Sequence, residues 1–242
     1  MINQPRYFFP DPRNALADGL VAMSDELTVD LLKEAYSWGI FPWPYEESPI
    51  LWFSPDPRGI LYFSEVHLSK SFHKFVKKCN WEIRWNTAFD QVIENCALQK
   101  RKGDTGTWIT EHLMNGYKEF HRAGYAHSIE VWEKNELIGG VYGVYMQGSF
   151  SGESMFFKKS QASKVALLAL IVELNNLGLK WMDIQMVTPN LQALGGRYIS
   201  REKFYKELQL AHEKSKLFKP LSPRSSSFSR IIVGWHRDQV KK

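Results

Sequence analysis

Trp181-Met182-Asp183-Ile184-Gln185 is the stretch on which the reading of this chain turns. As a strand, its two-residue period puts Trp181, Asp183 and Gln185 on one face and Met182 and Ile184 on the other. A carboxylate and an amide then stand side by side in an otherwise apolar strand. Burying both costs free energy unless each finds a partner. They form either a structural hydrogen-bond pair or the polar centre of a site. About thirty residues upstream lies Gly152-Glu153-Ser154-Met155-Phe156. Between the two, Ala162 to Leu177 is apolar nearly all round, as a buried helix is, and Gly178 ends it.

Working outward, His127 to Trp132 alternates and pairs across Lys134-Asn135-Glu136 with Leu137 to Tyr145, and Ser149 to Phe156 continues the meander. Antiparallel strands, a buried helix and a strand returning beside them make an α+β layer. Upstream, Val66 to Lys78 has helical spacing. Leu68, Phe72, Phe75 and Val76 fall on one side, and Lys70, Lys74, Lys77 and Lys78 on the other. Trp81 to Trp85 alternates like a strand. Helices follow at Phe89 to Leu98 and from a Thr110 cap to Gly124. Residues 1–27 read mostly as loop. Thr28 caps a helix that closes at Gly39. Prolines keep Gly39-Ile40-Phe41-Pro42-Trp43-Pro44 and Leu51 to Arg58 from being helical. We therefore expect a small, aromatic, loop-rich N-terminal domain (1–60) and a larger one (61–242). The latter ends with a helix over Arg201 to Leu210, a loop over Pro220 to Ser229, and a short strand, Ile231-Ile232-Val233.

The 242 residues suffice for a packed core, and the formal charge of +5 mildly favours polyanionic partners. Cys79 and Cys96 are too few and too far apart for a zinc motif, and read as reduced thiols. His67, His73 and His127 lack metal-ligand partners at suitable spacing, so no catalytic role is assigned to them. The N-terminus carries no signal-peptide pattern, and the longest apolar run, Val165 to Val172, is far short of a membrane span. The expectation is a soluble, cytoplasmic chain with no membrane contact.

Several motifs occur in one order: Gly39 to Trp43, Leu51-Trp52-Phe53-Ser54-Pro55-Asp56-Pro57-Arg58, Gly106-Thr107-Trp108-Ile109-Thr110, Ala126 to Trp132, Gly152 to Phe156, Ala162-Ser163-Lys164, and Asp183-Ile184-Gln185. Over residues 8–210 the chain strongly resembles the bacterial leucyl/phenylalanyl-tRNA–protein transferases. The resemblance implies a C-terminal domain like the acetyltransferase (GNAT) fold with a small N-terminal domain packed on it. It implies transfer of Leu, Phe and, less well, Met from aminoacyl-tRNA to the α-amine of proteins beginning with Lys or Arg, which marks them for N-degron degradation. No metal or organic cofactor is expected, and a monomer is. The family pattern differs over Met186 to Gly195, and two pocket positions that are phenylalanine in well-known members are Leu170 and Leu174 here.

The resemblance makes Asp183 and Gln185 the catalytic pair, with Gln185 accepting a hydrogen bond from the attacking amine and Asp183 fixing it and stabilising developing positive charge. Glu153 falls near the amino acid's α-amine or the acceptor end of the tRNA. Met155, Leu167, Leu170, Leu174 and Met182 fit the family's side-chain pocket. Trp43 and Trp108 would stack on the terminal adenosine, whereas Trp52 reads as core. Lys70, Lys74, Lys77 and Lys78 would meet acceptor-stem phosphates. Competing readings are an acyl-coenzyme A-dependent N-acyltransferase, which the absence of glycine from residues 156–163 opposes, and a non-catalytic tRNA-binding module.

Overall fold

The structure, a computed structural model, describes residues 8–43, 49–99, 108–215, 222–228 and 231. Gly106 and Thr107, part of one motif, and the Ile232-Val233 end of the expected last strand lie outside them.

In chain order the described elements are β1 (Leu20–Ser24), α1 (Val29–Ser37), β2 (Phe41–Pro42), β3 (Ile50–Phe53), β4 (Arg58–Tyr62), α2 (Lys70–Val76), β5 (Glu82–Trp85), α3 (Phe89–Leu98), α4 (Glu111–Arg122), β6 (Ala126–Glu133), β7 (Glu136–Met146), β8 (Ser149–Phe157), α5 (Ala162–Asn176), β9 (Trp181–Gln185), α6 (Pro189–Ala193), β10 (Arg197–Ile199), α7 (Arg201–Lys214) and β11 (Arg224–Ser227). Hydroxyl caps set the starts of α1, α2, α4, α6 and α7. Thr28, Ser69, Thr110, Thr188 and Ser200 each accept a hydrogen bond from a first-turn backbone N–H.

The molecule is α+β, with a three-stranded sheet in the order β1-β3-β2 and an eight-stranded mixed sheet in the order β10-β4-β9-β8-β7-β6-β5-β11. The β6-β7-β8 meander is antiparallel. α5 then carries the chain to β9, which lies parallel to β8 with Ser151 opposite Asp183. A parallel neighbour needs such a crossover. α5 is buried among Val131, Ile138, Val141 and Phe150 of the strands and Leu68 and Phe72 near α2. A second core joins α1, α3 and α4 to residues of the small sheet and of β7, so both sheets share packed interior.

Three details depart from the sequence expectation. The helix expected over 66–78 spans only Lys70–Val76, because Ser69 caps it and Lys77 closes it. Residues 1–27, expected mostly as loop, contain β1, which completes an edge of the small sheet against β3. Within the expected Pro220–Ser229 loop, Arg224–Ser227 pairs with β5. The open edge of β5 supplies backbone partners that serine-rich composition does not advertise.

Candidate active site

β9 is buried along its whole length, and the alternation expected of it holds. Met182 and Ile184 join the core around α5, whereas Trp181 packs with Ile60, Phe204 and Leu208. Asp183 and Arg58 each keep 1% exposure. Arg58 opens β4, the antiparallel neighbour of β9, and grips the carboxylate with two parallel bonds, Nε to Oδ1 at 2.8 Å and Nη2 to Oδ2 at 2.6 Å. Ser151 Oγ donates to Oδ2 at 3.2 Å, and the backbone N–H of Gln185 donates to Oδ1 at 3.0 Å. The guanidinium lies between the rings of Phe41 (4.6 Å) and Phe204 (4.5 Å). Burial opposes its charge, but the Coulombic pull and hydrogen bonds of Asp183 outweigh that and hold its pKa above the ordinary arginine value.

Both strands that carry the acidic side chains are bulged. In the β7–β8 ladder Tyr142 faces Ser154 and Gly143 faces Gly152, so Glu153 is the extra residue. In the β4–β9 ladder Gly59 faces Gln185 and Ile60 faces Asp183, so Ile184 is. Bulges re-aim side chains and gather beside active sites. Gln185 ends β9 with φ at 51°, a region non-glycine residues visit rarely.

The two devices bring Glu153 and Gln185 together. Gln185 Nε2 donates to Glu153 Oε1 at 3.0 Å, and Tyr117 of α4 donates to Oε2 at 3.1 Å. Tyr36 of α1 bonds the Tyr117 hydroxyl at 2.5 Å. Glu153 is half-buried, yet desolvation of its carboxyl pushes its pKa up to about 7, against the lowering effect of the tyrosine hydroxyls. Burial raises Tyr36 and Tyr117 well above the usual phenol value, with Glu153 adding to it, so both stay protonated donors. A carboxylate repels an amide oxygen, so the Gln185 Nε2 bond to Glu153 fixes the amide. Its Oε1 has no donor among the described residues.

A cleft of about 110 Å³ is lined by Leu68, Phe72, Met155, Leu167, Leu168 and Leu191, among others. Of the expected pocket residues, Met155 and Leu167 line it. Leu170, Leu174 and Met182 sit in the same core at 0–1% exposure, off its lining. Trp43 and Trp108 are half-buried and stack on each other, 5.2 Å apart and 7° from parallel. Trp52 is core, its Nε1 bonded to Ser24. Lys70, Lys74, Lys77 and Lys78 are exposed and pair with no carboxylate among the described residues. His127 is buried, its Nδ1 bonded to Asn86, and desolvation holds its pKa down to about 4.

Arg58, Ser151, Tyr36 and Tyr117 were not singled out from sequence as site residues. A signal for Arg58 did exist. An arginine followed directly by Gly-Ile-Leu-Tyr, in a strand buried at nearly every position, demands a buried carboxylate. Tyr117 sits in helical phase with Leu113 and Phe120, a core position whose hydroxyl needs a partner.

Fold and site together define an α+β protein whose central parallel strand pair carries a buried, arginine-anchored carboxylate, with an amide–carboxylate pair beside it. The family model described as leucyl/phenylalanyl-tRNA protein transferase matches residues 60–209, and the model of its N-terminal domain matches residues 25–56. Proteins named leucyl/phenylalanyl-tRNA--protein transferase are similar to this chain along most of its length. That of Shewanella baltica (strain OS195) is 43% identical over 93% of both chains. That of Xanthomonas campestris pv. campestris (strain 8004) is 44% identical over 84% of this chain and 82% of its own, and that of Flavobacterium johnsoniae is 44% identical over 81% and 93%. A solved C-terminal domain from an Agrobacterium fabrum protein overlaps 88% of this chain and 70% of its own at 10% identity and a TM-score of 0.35, too low to carry an argument. The chain belongs to the leucyl/phenylalanyl-tRNA–protein transferase family.

Proposed function

We propose that this protein transfers Leu, Phe and, less well, Met from aminoacyl-tRNA to the α-amine of proteins that begin with Lys or Arg. Family membership supports the reaction. The observation that carries the site assignment is the Gln185–Glu153 bond, which among the described residues leaves an amide oxygen facing no donor beside a carboxylate that forms no salt bridge, its one cationic influence the Arg58 guanidinium already bound to Asp183. An incoming ammonium complements that carboxylate. A free α-amine has a pKa of about 7.7–8.0, so a useful fraction is neutral near pH 7. The neutral amine attacks the ester carbon while Gln185 Oε1 accepts a hydrogen bond from it. The C–N bond forms, the ester C–O bond breaks, and the 3′-oxygen of the tRNA leaves with a proton. Holding both substrates in attack geometry supplies much of the acceleration, so no Ser–His or Cys–His pair is required.

Met155 and Leu167, on the cleft, contact the donor's apolar side chain, with Leu170, Leu174 and Met182 behind them. Trp43 and Trp108 offer a stacked aromatic face to the terminal adenosine. The four exposed lysines meet phosphates. The domain reading, 1–60 and 61–242 with a GNAT-like second part, is supported by the parallel β8–α5–β9 unit following antiparallel strands. We take the protein to act as a cytoplasmic monomer and to mark its substrates for degradation.

The test is incubation of radiolabelled Leu-, Phe- and Met-tRNA with a peptide beginning in Arg. Label should enter the peptide, from Leu- and Phe-tRNA above all. No transfer from any of the three, or transfer from acyl-coenzyme A instead, overturns the reading.

A further inference from the structure

We infer that Arg58 is a positioning residue for this transfer. It fixes the plane of the Asp183 carboxylate and, through it, the main chain of Gln185, and it is itself held by an aromatic clamp from two distant parts of the chain. The inference rests on the function proposed above.

The bonding runs in one line. Arg58 binds both carboxylate oxygens of Asp183 with its fork, a two-point contact that fixes orientation as well as distance. Asp183 Oδ1 also accepts the Gln185 backbone N–H, where φ is positive and the chain needs holding. Gln185 then presents its amide to Glu153.

Arg58 makes no second ion pair among the described residues, and its Nη1 has no hydrogen-bond partner there. A buried ion pair with an unsatisfied nitrogen is a poor way to stabilise a core, since hydrocarbon of similar volume often does as well or better. What the pair supplies that hydrocarbon cannot is direction.

The clamp has its own support. Phe204 stands on α7, whose first residue, Arg201, is tied by its backbone N–H to Asp56 and by Nη1 to the carbonyl of Ser54. Ser54 and Tyr205 also share a hydrogen bond. On the other side, Gly39 lets the turn before Phe41 close on Phe204, because a Cβ there would lie 2.5 Å from the Phe204 ring. α7, outside the catalytic strand, therefore acts on turnover and not on substrate affinity.

The experiment compares wild type with R58K, F204L and the double variant R58M/D183L in steady-state transfer from Leu-tRNA to an Arg-initiated peptide, and measures Tm for each. R58K keeps the charge but loses the fork, so kcat should fall by about tenfold or more, with KM for both substrates within about twofold of wild type. F204L should lower kcat by about threefold in the same way. R58M/D183L should melt at or above the wild-type temperature while transferring no amino acid. Undiminished kcat in R58K, or a rise in KM at constant kcat, overturns the inference. So does a double variant that melts well below wild type, which would make the pair structural. If the wild-type protein transfers nothing, the proposed function itself fails. Wild-type transfer with an unaffected R58K removes only Arg58.

Discussion

Both oxygens of Asp183 are engaged, by Arg58, Ser151 and the Gln185 main chain, while among the described residues the hydrogen-bond donors to Glu153 are neutral, Gln185, Tyr117 and Tyr36. Two carboxylates of one site thus have opposite surroundings, an arrangement that separates their roles. Replacing Asp183 by Ala should cut transfer by about tenfold or more with tRNA affinity intact. It should also lower stability by about 3–5 kcal/mol, because Arg58 is left buried without its counter-charge. Filter binding and denaturant melts check both. Glu153 makes a pH prediction. Its folded pKa is raised from 4.5 to about 7, so across that window the folded chain retains a proton the unfolded chain has released. Stability from this group is fully present below about 4.5 and declines as pH rises towards 7. In E153Q that part of the decline should vanish from the melting curve, and an unchanged slope would assign it elsewhere.

At the level of elements, the close approach of β4 to β9 decides how Gln185 is held. A Cβ on Gly59 would stand 3.0 Å from the main chain of Gln185 and Met186, whereas one on Gly152 would first meet the flexible tip of Met182 at 2.7 Å. G59A should therefore lower kcat by about tenfold, and G152A, where a side-chain end can swing aside, should do markedly less. Equal losses would show that the backbone approach is not what matters. The meander, the buried α5 and β9 were legible because their patterns were plain: alternation in β6 and β9, and an apolar run from Val165 to Val172 within α5. The ionic anchor of Asp183 was not, because Arg58 lies 125 positions away in sequence and periodicity carries no information on which strands become neighbours. β10 and α6, three and five residues long, are too short for a period to register.

For the whole molecule, the lysine face near α2 is the feature that long-range electrostatics can test. Converting Lys74 and Lys77 to Glu should weaken tRNA binding and reduce the salt slope of log K by about 2, while the reaction of bound substrate proceeds at its usual rate. An unaltered slope would make that surface ordinary solvated exterior. The charge of the face was plain from sequence. Its position relative to the cleft was not, since that depends on how α2 and α5 pack.

The seam between β4 and β9 has a consequence for biosynthesis. The residues on its two sides are separated by about half of the polypeptide, so no nascent chain that has not yet released its later strand from the ribosome can hold a working centre. Premature termination upstream of residue 185 should yield an inert product whatever else of it folds. Two separately expressed halves divided at an exposed loop should stay silent alone and regain transfer only when mixed.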